Sequence, residues 1–312
     1  MSRDQRLRLV IAFACVYLIW GSTYLAIRIA IETIPPFLMA GVRFVIAGLI
    51  LLAWARLRGA AWPSGVEWRT ATIVGVLLLV GGNGGVVWAE LTVPSSLAAL
   101  IVAAVPIVTV ALDWMRPSGK RPGRATILGL ITGFAGVAIL VNPFARDAAR
   151  VNPLGAAALL FATVTWSAGT IYGRDARTAK APLMAAGANM LAGGAGLLLL
   201  GLLVGELPSL RLDAISTRSA VATVYLTLVG AVVGFTAFFY LMRNTTPAKS
   251  TTYAYVNPVV ALILGAVVLD EPLTPRILLA TAIIIAGVIM ITTLPHLRGW
   301  MLSRRPVAHA GD

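Results

Sequence analysis

Long apolar runs, each about 20 residues and almost free of charge, fill this chain from end to end, and short polar links separate them. A helix needs about 20 residues to cross ~30 Å of hydrocarbon, so each run has the length of one crossing. Strands of a membrane barrel would alternate apolar and polar residues over ~10 positions, and no stretch does so. Only 12% of the residues are charged. A soluble domain carries about 25%, so there is too little charge here to cover a water-facing surface. The reading is an all-α integral membrane protein. Ten runs qualify as spans: Leu9–Ala30, Pro36–Trp54, Ala71–Glu90, Ser96–Trp114 and Ala125–Val141, then Leu154–Tyr172, Pro182–Val204, Ala220–Met242, Ser250–Leu269 and Ile277–Leu294.

The two sets of five resemble each other. Shifted by 146 positions without a gap, Trp20–Gly48 lands on Trp166–Gly194, with Trp20 on Trp166, Arg28 on Arg174, Pro36 on Pro182 and Gly48 on Gly194. Further on, Pro94-Ser95 answers Pro247-Ala248, and Ala135-Gly136-Val137 answers Ala286-Gly287-Val288. Residues 1–146 and 147–295 therefore read as two repeats, with 296–312 as a tail. Counted by side, 18 Lys and Arg residues fall on the face holding both termini and 5 on the other, while Arg28 and Arg43 lie inside spans. The positive-inside rule puts the richer face, and both termini, in the cytoplasm. Five is an odd number of crossings, so the second repeat enters from the opposite side. Inverted repeats are how many secondary transporters build two related conformations around one site at mid-membrane.

Other chemistries find no residues to build on. The net charge of +13 sits in clusters between spans without an interleaved aromatic face, so no nucleic-acid partner is expected. The N-terminal run is too long for a cleavable signal and no small-residue cleavage site follows it. Cys15, the single cysteine, reads as a small buried hydrophobe. Gly119-Lys120 lacks the rest of a phosphate-binding loop. The two histidines, His296 and His309, stand at or beyond the last span, and the acids scatter at helix ends. No metal site, cofactor or catalytic triad is expected.

Spans 4 and 9, in VPSSLAALIVAAVPIVTVAL and TPAKSTTYAYVNPVVALILGAVVLDEPLTP, resemble the paired signature of EamA-type permeases of the drug/metabolite transporter superfamily. The opening IWGSTYLAIRIAIETIPPFLMAGVRF and the GNGGVVWAE run resemble its YedA-like bacterial subgroup in particular. The resemblance covers about Ile19 to Ile291. It implies a ten-helix inner-membrane carrier, with spans 1, 3, 4, 6, 8 and 9 around the path of an exported amino acid or related metabolite. The acidic ending after span 9, Asp270-Glu271-Pro272-Leu273-Thr274, has no counterpart after span 4, where WMRPSGKRPG stands, so no role transfers there. Asp113 near Arg116 reads as a solvated or paired helix-end charge.

Arg43 is the foremost candidate within the spans. It lies seven residues past Pro36, about 10 Å below the outer face at 1.5 Å per residue. A charge at that depth costs at least ~2.5 kcal/mol unless it faces the bundle interior. It reads either as an anchor for a substrate carboxylate or as a structural partner of Glu90 or Glu32. The repeat places polar Asn189 at its equivalent position. Glu90, after Trp88, reads as a proton acceptor, as a partner of Arg43 or Arg28, as a gate or as an interfacial helix-end charge, with Arg243 its counterpart by spacing to the following proline. Trp20, Tyr24, Asn83, Trp88, Trp166, Asn189, Tyr253 and Asn257 complete the substrate-contact candidates. Tyr253 and Asn257, four apart, share a helix face. Pro106 and Pro258 are candidate flex points, because each removes a backbone donor from its helix. The glycines around Asn83 read as close helix packing or as a loosened helix.

The function expected is secondary-active, proton-coupled export of small metabolites by alternating access. The partners are a small-molecule substrate and the lipid bilayer, with a homodimer left open. An intramembrane enzyme acting on a lipid-linked substrate would need clustered acids or a membrane histidine. A non-transporting sensor or assembly partner would not need polar residues matched between the halves.

Overall fold

The computed structural model describes residues 3–117, 123–141, 151–244 and 253–292. The tail from His296, Pro247, Ser250–Thr252 and the side chains of Arg243 and Tyr255 lie outside the described residues. No strand occurs among those described. In chain order the first repeat gives α1 (Arg3–Ala30), α2 (Pro36–Leu57), α3 (Gly65–Ala89), α4 (Ser95–Trp114) and α5 (Arg124–Val141). The second gives α6 (Pro153–Asp175), α7 (Pro182–Leu203), α8 (217–244), α9 (Tyr253–Leu269) and α10 (Pro275–Thr292). Seven helices, α1 to α4 and α6 to α8, are long and apolar enough to cross a membrane; α5, α9 and α10 hold shorter apolar stretches. The first helix begins at Arg3 rather than Leu9 because its exposed charged turn continues the same helix.

Two helices widen at matched places. α3 is π-helical over Val76–Asn83 and α8 over Leu226–Val233, 150 positions apart. At the end of each, a glycine N–H reaches a carbonyl five residues back: Gly84 to Leu79, and Gly234 to Val229. π geometry holds roughly under 1% of residues, so two such stretches in register are not chance. The glycines around Asn83 thus do both things expected of them, since Gly84 closes the wide turn while Gly82 packs against Trp166. α4 breaks at Ala103-Ala104 and resumes as Val105–Trp114, with Pro106 in its first turn, whereas α9 runs unbroken through Pro258. Proline lacks the N–H that would have carried the ladder through the break.

Helix pairs meet through reciprocal contacts. A Cβ on Gly48 of α2 would lie 2.7 Å from the Leu191 nitrogen of α7; one on Gly194 would lie 2.7 Å from the Val45 nitrogen. Likewise Gly41 faces the Leu198 nitrogen at 2.8 Å, and Gly187 faces the Leu52 nitrogen at 2.9 Å. At the repeat offset of 146, each contact is the mirror of its partner. The pairing descends on α7 as it ascends on α2, so the two helices run antiparallel. α5 and α10 repeat the pattern, with Gly136 against Ile284 and Gly287 against Gly133. Only hydrogen in place of a side chain lets backbones come this close, and in lipid such packing holds helices together where hydrophobic burial gives little drive.

Carboxylates from the second repeat cap two helices of the first. The Phe37 and Leu38 N–H groups, at the start of α2, donate to Glu206 at 3.1 and 2.9 Å. Ser95 and Ser96, at the start of α4, donate their N–H groups to Glu271 at 2.7 and 3.0 Å. Prolines precede both helices and cannot cap them, so a remote anion takes the orphan donors and the positive helix end. Each glutamate directly follows a left-handed residue that ends a helix, Gly205 at φ +78° or Asp270 at φ +52°. That turn sends the chain back over the helix end.

Candidate functional site

A cavity opens between α1, α2, α3, α4, α6, α8 and α9. Counted over positions open to a water's centre, it holds about 130 Å³. At roughly 10–15 Å³ per water, that is room for about ten waters, the bulk of a small metabolite.

Arg43 supplies its charge. The residue is 3% exposed, and its Nη2 donates to Asn83 Oδ1 at 2.6 Å. Its Nε has no hydrogen-bond partner, and its guanidinium carbon lies 4.4 Å from the Phe44 ring centroid. Of the two readings of Arg43, the ion pair with Glu90 or Glu32 is not formed among the described residues, and a neutral amide stands in its place. Glu32 instead lies 3.9 Å from Arg218 at the surface. Asn83 ends the wide turn of α3, so the π stretch fixes the amide that holds Arg43.

Glu90 corrects the reading of an interfacial charge. It is wholly buried, both carboxylate oxygens lack hydrogen bonds, and it does not line the cavity. Its backbone carbonyl accepts from Arg28.

Aromatic rings form one wall. Trp20 packs between Phe238 at 4.9 Å, Tyr253 at 5.2 Å and Phe235 at 5.3 Å, and its indole nitrogen sits against Gly234. Its counterpart Trp166 lies against Gly82 of the other wide turn. Each tryptophan thus fills the space a glycine leaves in the opposite repeat. Tyr24, Tyr253, Asn257 and Pro258 also line the cavity. The Asn257 amide nitrogen faces the Tyr253 and Tyr17 carbonyls at 3.2 Å, tying α9 to α1. Trp88 and Asn189 do not line it. Asn189 sits on α7, with its carbonyl 2.5 Å from where a Gly75 Cβ would be, a packing position rather than a wall.

Several residues here went unnoticed in the sequence. Thr23, Phe44 and Phe235 line the cavity beside noticed residues, and only their helix faces could have signalled them. Beyond the cavity, Asp113 bonds Arg174 at 2.9 Å and Arg116 at 3.2 Å, while Arg116 reaches Asp175 at 2.5 Å. This charge cluster ties the end of α4 to the end of α6. It makes Asp113 the paired helix-end charge that its position suggested.

The EamA-like transporter family matches this chain twice, over residues 7–142 and 153–293. The chain is 40% identical over 294 residues to a protein of Escherichia coli (strain K12) described as the uncharacterized inner membrane transporter YedA, covering 94% of this chain and 93% of that one. It is 24% identical to Protein PecM of Dickeya dadantii, over 88% of each chain. A solved crystal structure superposes with a TM-score of 0.65 at 22% identity, covering 92% of this chain and 98% of the other. That likeness shows a shared fold. With both halves matched and a relative this similar along nearly its whole length, the chain belongs to the EamA-like transporter family.

Proposed function

We propose that this chain is a secondary-active carrier of the bacterial inner membrane that exports small amphipathic metabolites, amino acids or related compounds, by alternating access. The observation that carries the reading is the cavity itself: both repeats contribute walls, and the buried Arg43 keeps an unsatisfied donor beside it. Holding that charge in a span costs roughly 2.5–3.5 kcal/mol, a cost that a purely structural bundle has no reason to bear.

Reciprocal, antiparallel contacts between α2 and α7 and between α5 and α10 support two inverted five-helix repeats, with α5, α9 and α10 as the remaining crossings. The Lys and Arg distribution supports cytoplasmic termini. YedA's description as an inner membrane transporter supports the location. In this reading the two repeats rock about the cavity, the break in α4 at Ala103-Ala104 supplies a flex point, and the protonmotive force provides the energy. Glu90, buried behind the wall, serves as a gating or proton-accepting charge.

Counterflow of labelled amino acids and of related amphipathic carboxylates in proteoliposomes, with and without a pH gradient, tests the proposal. Accumulation is expected. Chemical conversion without movement would instead mark an enzyme.

A further inference from the structure

We infer that the cavity selects an aromatic or apolar monocarboxylate that carries no ammonium group, and that the membrane potential itself drives this anion outward. The inference rests on the carrier reading above, narrows its cargo to those compounds that are not amino acids, and makes the membrane potential rather than a bound proton its driving force.

Arg43 is the one charged residue among those lining the cavity. Asn83 takes a single N–H of its guanidinium, and the buried Nε has no partner. A guanidinium offers five donors in a planar fork that matches a carboxylate, so the unused donors suit one. Around this fork the wall is aromatic, with Trp20, Trp166, Phe235 and Tyr253 offering ring faces and edges to an apolar body.

An ammonium group meets the opposite situation. Among the described residues no Asp or Glu lines the cavity, and Glu90 is buried outside its lining. The side-chain acceptors on offer are all neutral: Asn83 Oδ1 already holds Arg43, and the Thr23 hydroxyl, which donates to the Trp20 carbonyl at 2.7 Å, keeps only uncharged lone pairs. The Asn257 amide nitrogen donates to two carbonyls, and its oxygen is likewise uncharged. A buried cation without a counter-charge is strongly disfavoured. An amino acid would satisfy Arg43 at one end and strand its ammonium at the other.

The charge of the cargo then decides its energetics. A monoanion leaving a negative interior runs down the membrane potential, whereas a zwitterion of zero net charge gains nothing from it. Export of an anion therefore needs no titrating acid in the cavity wall, in keeping with a lining that has none.

Three compounds of one shape separate the cases: 3-phenylpropionate, phenylalanine and phenethylamine, each labelled and loaded into proteoliposomes of the full chain, with protein-free liposomes as the baseline. Valinomycin and an about fifty-fold outward potassium gradient set an inside-negative potential worth about fifty-fold for one charge. Efflux of 3-phenylpropionate is expected to exceed that of phenylalanine by at least about tenfold and to rise with the potential. Phenethylamine should not move. Asn83→Asp keeps the shape but sets a carboxylate against Arg43, and should abolish the preference along with Arg43→Gln. Because the wild-type comparison stands alone, misfolding of either variant leaves the test intact. Phenylalanine moving while 3-phenylpropionate does not would overturn the cargo class and leave the carrier reading standing. Efflux of 3-phenylpropionate indifferent to the potential would overturn the driving force. Failure of all three while other amino acids move would also sink the inference, whereas no movement of any solute would sink the carrier reading itself.

Discussion

The seam between α2 and α7 and the cavity beside it differ in how far the 146-residue correspondence holds. Along the seam four glycine contacts pair as images: Gly48 meets Leu191 as Gly194 meets Val45, and Gly41 meets Leu198 as Gly187 meets Leu52. In the cavity the two tryptophans remain paired, but the charged residue does not. The counterpart of Arg43 is Asn189, which faces α3 backbone, and that of Asn83 at the end of the other wide turn is Val233. Packing preserved the symmetry because two backbones in contact constrain each other equally. In the proposed reading, recognition broke it because one cargo presents one carboxylate.

The sharpest way to break this contrast is to fill the seam. Gly48→Leu would drive a side chain into backbone already at contact distance, and overpacking costs at least about 1–3 kcal/mol. Folded yield on size exclusion should fall at least about tenfold, with Gly194→Leu its equal by symmetry. Gly65→Ala, where nothing lies within 4 Å, should leave the yield unchanged. Arg43→Ala addresses the asymmetric side. Losing charged hydrogen bonds worth about 1.5–3 kcal/mol should lower transport about ten- to a hundredfold, with folded yield kept within about twofold. Equal losses in yield and transport would reduce Arg43 to a packing element.

The carboxylate caps sharpen the comparison further, since Glu206 has Ala60 at its repeat position and α7 has no side-chain cap. Glu271→Gln and Glu206→Gln should each destabilise the protein by about 1–2 kcal/mol, read from thermal unfolding in mild detergent. Glu32→Gln, at an exposed 3.9 Å pair with Arg218, should change stability by less than about 0.5 kcal/mol.

Much of the frame was legible in the sequence because hydrophobic length and glycine spacing are local signals. Apolar runs marked the helices, and the 146-residue register marked which glycines are equivalent. Arg43 and Trp20 stood out because a charge or an indole deep in an apolar run has few reasons to be there. The glycines around Asn83 hinted at the wide turn of α3, whereas Leu226–Val233 of α8 carries no such run and gave no sign of its own. Glu90 read as interfacial because burial at a helix end depends on neighbours that no local pattern names. The caps by Glu206 and Glu271 join residues about 170 positions apart, beyond the reach of any local pattern.

The central claim is a single cavity reached in turn from both sides of the membrane. In a Cys15→Ala background, Ala103→Cys places one thiol in the cavity wall at the break in α4. A membrane-impermeant thiol reagent added separately to right-side-out and inside-out vesicles should label it from either side, and a transported cargo should slow both reactions. Labelling from one side alone, whatever the cargo present, would contradict alternating access.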